Sequence, residues 1–163
     1  MSLPSGPHFE AVIALGANLG DAPLTVEQAL HNLAKLPHTE LLRASSLYRT
    51  APVDATGPDF INAVALVRTQ LSPHALLTAL QQQENEQGRL RPYRNAPRTL
   101  DLDMVRMFSP EGEVLLNDST LTLPHPRMLQ RAFVLVPLAE IAPEQVSAKQ
   151  LAAVATQTIS RLG

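Results

Sequence analysis

The order in which strand-like and helix-like periodicities follow one another constrains this chain most. Phe9 to Leu15 is a short apolar run closed by Gly16, Asn18 and Gly20, the pattern of a buried strand running into a turn. Asp21 and Pro23 then open a helix that lines up Val26, Ala29, Leu30 and Leu33 on one face. Thr39 to Tyr48 and Phe60 to Thr69 lean toward strand, separated by a loop from Thr50 to Pro58. Ser72 before Pro73 is an N-cap followed by a proline at the first helical position, and that helix runs to about Gly88. A polar, arginine-rich loop leads into a strand from Leu100 to Phe108. The succession β-α-β-β-α-β restricts the chain to an α+β fold of the ferredoxin-like, split-βαβ kind. Ala132 to Ile141 and Ala148 to Ile159 add two C-terminal helices, the first expected to kink or break at Pro137. No repeat or linker interrupts the pattern, so residues 1–163 read as a single domain.

Composition narrows the function classes. A net charge of −2 supplies no strong positive field for a polyanion, so no nucleic-acid partner is expected. There are no cysteines, which excludes disulfides and thiolate metal sites. No apolar run approaches the ~20 residues that span a bilayer. Met1 to His8 lacks the basic and apolar blocks of a signal peptide. The expectation is a cytoplasmic monomer without a membrane partner.

Chemistry is carried where the pattern breaks. Asp101 and Asp103 stand two apart in a strand, so both carboxylates leave one face while Leu100, Leu102 and Met104 take the other. Adjacent like charges repel, and strand propensity does not favour aspartate. A hard divalent cation such as Mg²⁺ would remove the repulsion; an exposed face bearing two solvated acids is the alternative. Arg89, Arg91, Arg94 and Arg98 immediately precede the acidic strand. Guanidinium groups match phosphate oxygens, and Mg²⁺ completes its shell with phosphate, so the combination suits phosphoryl transfer from a nucleotide. Glu84 falls on the helical stripe of Leu77 and Leu80. Either it holds an arginine or faces a charged site, or the helix frays before Gly88 and leaves it in water. Asn62 interrupts an apolar strand, where its amide can read a heterocycle edge or point outward. His125, between Pro124 and Pro126, has a stiff backbone and a reproducibly placed ring. Gly16-x-Asn18-x-Gly20 reads as a strand-to-helix turn rather than a phosphate loop, because no lysine follows it in the P-loop pattern. Phe133, opening the late apolar segment, reads by itself as core.

Pro97-Arg98-Thr99-Leu100-Asp101-Leu102-Asp103 closely resembles the signature of one family, the 6-hydroxymethyl-7,8-dihydropterin pyrophosphokinases of folate biosynthesis. Tyr48-Arg49-Thr50, Phe60-Ile61-Asn62-Ala63, Gln87-Gly88-Arg89, Pro124-His125 and Pro137-Leu138 with Glu140-Ile141-Ala142-Pro143 follow in family order, so the resemblance runs from about Val12 to Pro143. It implies transfer of the diphosphoryl group of ATP to a pterin alcohol, giving AMP and the pterin diphosphate. It implies that Asp101 and Asp103 hold two Mg²⁺ ions, and that Arg89 and Arg98 act catalytically on the phosphates. Gln81, Glu84, Arg91, Thr122, His125 and Arg131 align with ATP-binding positions. Thr50, Val53, Phe60, Asn62 and Phe133 align with the pterin pocket, Asn62 bonding the ring edge and Phe133 stacking on it.

Two positions depart from the family pattern. Asn95 stands where some members carry a tryptophan that closes over the pterin, and Pro126 stands where some carry a tyrosine. Rival readings are a ferredoxin-like RNA-binding module, a metabolite-sensing module and a nucleotidyl transferase. The first would need more sheet aromatics than Phe60 and Phe108. The second leaves Asp101, Asp103 and the arginines unexplained, and the third differs in its product, pyrophosphate rather than AMP.

Overall fold

Ala11 to Leu15 are all buried, the most open of them only 7% exposed, so the first strand must be covered on both faces. The computed structural model, which describes residues 8–52, 57–88 and 100–162, shows how. Its elements are β1 (Phe9–Ala17), α1 (Ala22–Leu33), β2 (Thr39–Ala44), β3 (Tyr48–Thr50), β4 (Phe60–Thr69), α2 (Pro73–Gly88) and β5 (Asp101–Ser109). Three two-residue strands follow, β6 (Gly112–Glu113), β7 (Leu116–Asn117) and β8 (Thr122–Leu123), then α3 (Ala132–Ile141), α4 (Ala148–Ala153) and β9 (Ile159–Arg161). All pairings are antiparallel, in the order β6-β5-β1-β4-β3-β9, with β2 also on β4. Setting aside the edge additions β6 and β9, β5-β1-β4 followed by β2 and β3 is the ferredoxin-like sheet.

Strand alternation divides the core into two layers. Ala11, Ile13 and Leu15 of β1, with Ile61, Ala63, Ala65 and Val67 of β4, pack against Val26, Ala29 and Leu33 of α1 and Leu76 and Leu80 of α2. Val12 and Ala14 of β1, Val64 and Leu66 of β4, and Val105 of β5 face the other way, onto Leu135, Leu138 and Ile141 of α3. Local signals set the helix starts. The Asp21 carboxylate accepts the Leu24 N–H at 3.3 Å, and the Ser72 hydroxyl accepts the Ala75 N–H at 3.2 Å. Ser147 and Gln150 form a reciprocal capping box on α4.

Several expectations are corrected. Gly16 does not end the first strand; it is paired within it. The segment Thr39 to Tyr48 is two strands, because the chain breaks at Ser45, whose hydroxyl accepts the Val64 N–H at 2.9 Å in place of a ladder bond. The buried stripe of α2 runs through Leu76, Leu80 and Gln83, with Leu77 only partly buried; the Gln83 amide donates to the Ala29 carbonyl of α1 at 3.1 Å. α3 continues through Pro137 without interruption. The last expected helix stops at Ala153 instead of reaching Ile159. Its continuation is diverted: the Gln157 amide accepts the Ala132 N–H at 2.8 Å and donates to the Gln130 carbonyl at 2.7 Å, capping α3, and Ile159–Arg161 then adds to the edge of β3.

The β7–β8 hairpin closes on one carboxylate. Asp118 Oδ1 accepts the backbone N–H groups of Thr120 and Leu121, both at 2.9 Å, and its Oδ2 meets His74 Nε2 of α2 at 2.8 Å. The Thr120 and Leu121 N–H groups chiefly, with His74, lower the Asp118 carboxyl from its ordinary 3.8 to about 2. A group depressed in the folded state stabilises it above its ordinary pKa and loses that contribution as the pH falls toward the depressed one. Asp118→Asn should therefore flatten the acid limb of stability between pH 3.8 and about 2, as read by urea unfolding across that range. An unchanged acid limb would mean that the hairpin does not depend on the charged carboxylate.

Candidate functional site

Two small residues of β1 make a floor. Gly16 pairs with Asn62 on one side and Asp101 on the other, and Ala14 pairs with Val64 and Asp103. Asn62, Asp101 and Asp103 therefore flank the same short stretch of β1, on the sheet face that α3 covers only in part. Above this floor lies a cleft of about 420 Å³. Its lining includes Thr50, Phe60, His125, Arg127, Arg131 and Phe133.

Asn62 is 4% exposed and Thr50 6%. The Asn62 amide donates to Thr50 Oγ1 at 2.7 Å, which fixes the direction of the side chain and leaves the rest of its hydrogen-bonding edge for a ligand. Phe133 stands in the first turn of α3, and the Arg131 guanidinium lies 5.9 Å from its ring centroid.

The acidic side depends on an irregularity in β5. The register against β1 shifts between Val12 and Ile13, leaving Val105 as the extra residue of a bulge. The Val105 carbonyl accepts the His125 N–H at 2.6 Å, which brings the histidine to the cleft beside Asp103. His125 Nδ1 in turn accepts the Arg127 N–H at 3.1 Å, which assigns the neutral ring's proton to Nε2. Burial by the surrounding walls pushes the Asp103 carboxyl up, and His125 beside it opposes that rise, although the residue remains open at the mouth of the cleft.

Glu84 resolves one of the open alternatives. α2 runs past it to Gly88, so the helix does not fray there, and its carboxylate accepts the Leu102 N–H at 2.7 Å. Leu102 lies between the two aspartates, so Glu84 pins the acidic strand at its centre. Gln81 is exposed on α2 and Thr122 half-buried in β8; neither these two nor Glu84 lines the cleft. Val53, Arg89, Arg91 and Arg98 lie outside the described residues. The cleft does gather Asp101, Asp103, His125, Arg131, Thr50, Phe60, Asn62 and Phe133. Sequence reasoning missed Gly16, Ala14, Arg127 and Met128 as lining residues. Pairing Phe60–Thr69 against the first strand would have set Gly16 opposite Asn62, but that register is a long-range property.

The donor set suits Mg²⁺. Two carboxylates on one strand face are hard oxygen ligands, and among the described residues no group of three or more His, Cys, Asp or Glu gathers to complete a shell. Mg²⁺ keeps several waters and takes substrate phosphates alongside one or two carboxylates, so a pair of carboxylates is compatible with it. Among the described residues no helix is long and apolar enough to cross a membrane.

Comparison with known proteins gives a consistent result. The sequence model of 7,8-dihydro-6-hydroxymethylpterin-pyrophosphokinase (HPPK) matches residues 12–143. The 2-amino-4-hydroxy-6-hydroxymethyldihydropteridine pyrophosphokinase of Pseudomonas aeruginosa is 47% identical over 133 residues, 81% of this chain and 80% of that protein. Its Haemophilus influenzae counterpart is 44% identical over 137 residues, 83% of each. Among solved structures, Plasmodium falciparum wild-type HPPK-DHPS with pterin and p-hydroxybenzoate superposes with a TM-score of 0.64 at 16% identity, a likeness of fold. That match covers 88% of this chain, which spans 41% of the longer one.

The floor is intolerant of added bulk. A Cβ at Gly16 would stand 3.0 Å from Asn62 Oδ1. Gly16→Ala should displace the Asn62 amide and shift its side-chain NH₂ resonances. Because the neighbour is the end of a side chain, the stability loss belongs at the low end of the roughly 1–3 kcal/mol that overpacking costs. Unmoved Asn62 resonances would show that the floor has slack.

Proposed function

The chain belongs to the 7,8-dihydro-6-hydroxymethylpterin-pyrophosphokinase family, and we propose that the cleft on the α3 side of its sheet is where ATP and the pterin alcohol meet. It is a pyrophosphokinase of folate biosynthesis, an ATP-dependent transferase acting on hydroxymethyldihydropterin. One observation carries the placement: Asn62, held by Thr50, and Asp101 pair with Gly16 from its two sides, and Asp103 pairs with Ala14 two residues back along β1. A phosphate-binding centre and a heterocycle-reading centre are thereby neighbours on one floor.

In this reading the pterin lies against Phe133, with the Asn62 edge matched to ring donors and acceptors, and Thr50, Phe60 and Val53 completing the pocket. Its hydroxymethyl oxygen is then directed toward Asp101 and Asp103. The hydroxyl oxygen bonds to the β-phosphorus of ATP, the bond from that phosphorus to the α,β-bridging oxygen breaks, AMP departs with that oxygen, and the hydroxyl proton is released. Asp101 and Asp103 would hold Mg²⁺, two ions in the finer reading, and the metal would supply neutralisation of triphosphate charge. Arg89 and Arg98, by their places in the family motif, act on the same phosphates. His125, beside Asp103, and Arg131 line the cleft and take nucleotide oxygens, as do Arg91 and Thr122 by alignment. Gln81 and Glu84 belong to the nucleotide side by the same alignment, and for Glu84 the bond to Leu102 N–H supports an indirect part, holding the strand that carries the metal ligands. A single domain is supported by the seven-stranded sheet that includes both β1 and β9. A monomer in the cytoplasm completes the reading.

Two experiments test it. Incubation with ATP, Mg²⁺ and the reduced pterin alcohol should yield AMP and the pterin diphosphate, and Asp101→Ala or Asp103→Ala should abolish turnover with the fold intact. Pyrophosphate as the ATP-derived product would point to nucleotidyl transfer instead. Asn62→Ala should weaken pterin binding by roughly 1–3 kcal/mol, the cost of leaving ring polar groups unpaired, while calorimetry shows little change for an ATP analogue. Equal losses for both ligands would assign Asn62 to the fold and not to the pterin.

A further inference from the structure

Glu140 is an acid in the last turn of α3, where the negative end of the helix disfavours a carboxylate. It nonetheless accepts several hydrogen bonds from Ser46 and Tyr48. Its Oε1 accepts the Tyr48 hydroxyl at 2.6 Å and the Ser46 N–H at 3.0 Å. Its Oε2 accepts the Ser46 hydroxyl at 3.0 Å and lies 3.6 Å from Arg161 Nη2. Next to it, the Ile141 carbonyl accepts Arg43 Nη1 at 2.7 Å. One carboxylate thus ties α3 to the break between β2 and β3, to β3 itself and to β9.

These ties converge on the two sides of the cleft. Tyr48 pairs with Asn62 across β3 and β4, and Thr50, two residues on and therefore on the same strand face, is the residue that holds the Asn62 amide. At the other end of α3, about 10 Å along the helix axis, stands Phe133. The hydrogen bond from Tyr48 to Glu140 spans the two pieces of structure that carry these walls. Tyr48 is 6% exposed, and its hydroxyl would be costly to leave unpaired. Burial and the neighbouring carboxylate push the Tyr48 phenol up to about 12. Burial raises the Glu140 carboxyl, but the Tyr48 and Ser46 donors and the charge of Arg161 outweigh it and hold the group below the ordinary carboxylate value. Both directions describe a carboxylate kept ionised and a phenol kept as its donor.

We propose that Glu140, through Tyr48, is a positioning residue for the pterin half of the site, setting the spacing between the Thr50–Asn62 pair and Phe133. This rests on the assignment of Asn62, Thr50 and Phe133 to the pterin. Misplacement of a recognition group by about an ångström is costly even when the change lies far from the chemistry. The effect falls on one substrate, because the strand that carries Asp101 and Asp103 is held at Leu102 N–H by Glu84, and His125 N–H is held by the Val105 carbonyl.

Glu140→Gln, of nearly the same shape, and Tyr48→Phe, which keeps the ring, are the variants to compare with the parent. In both, the Asn62 side-chain amide resonances of the ligand-free protein should shift. The pterin Kd should rise about ten-fold, with the Kd for a non-hydrolysable ATP analogue with Mg²⁺ and the far-UV circular dichroism unchanged. Unmoved Asn62 resonances in both variants overturn the proposal, as does a parallel loss of pterin and nucleotide affinity, which marks a purely structural strut. If the parent itself binds no pterin, the functional reading fails, and the Asn62 resonances still decide whether Glu140 positions that pair.

Discussion

The second face of the sheet is longer than what covers it. β1 and β4 extend for nine and ten residues, about 30 Å, whereas α3 has ten residues and spans about 15 Å. Over the half that α3 reaches, the inward residues are Val12, Val64, Leu66 and Val105. Beyond it they become Gly16, Asn62, Asp101 and Asp103, small or polar groups that would be poor partners for a helix. A shorter covering layer and a change of residue type along three neighbouring strands are two aspects of one arrangement. The cleft is the part of the core that was never closed.

This arrangement also separates folding from recognition. The layer formed by α1 and α2 carries the larger share of apolar burial, and its face of the sheet presents Ala, Ile, Leu and Met almost without exception. The face that bears the cleft gives up part of its hydrophobic contribution to keep polar atoms at the surface. Two carboxylates held side by side, one of them with its proton affinity raised by burial, are tolerable because the opposite layer stabilises the strand that carries them. Glu84 crosses between the two, a helix residue whose carboxylate reaches the backbone of the acidic strand.

What could be read from the sequence was local. Asp21 and Ser72 announce helix starts by their own side chains, and the spacing of Asp101 and Asp103 places both on one face whatever they pair with. The Pro97 to Asp103 motif carries the family resemblance whatever the geometry around it. What escaped was set by partners far along the chain. Ser45 gives no sign that it will take the Val64 N–H and split a strand in two. Gln157 looks like a helix residue until Gln130 and Ala132, more than twenty positions earlier, claim its amide. The helical wheel of α2 is off by one residue because its burial is decided by where α1 lies, and the Gln83 amide is satisfied by a carbonyl of that helix. Val53 and the arginines before Asp101 belong to the reading through their motif alone.

The bulge at Val105 settles a conflict of parity. Asp101, Asp103, Val105 and Met107 are all odd-numbered, and an uninterrupted strand would send all four to one face. Met107 is nevertheless fully buried beneath the helices, while the aspartates open onto the cleft. One extra residue shifts the phase of β5 midway, so its first half alternates in step with the site and its second half in step with the core. Each half can then change its residue pattern without dictating which face the other half presents, and a deletion of one residue here would set the two halves against each other.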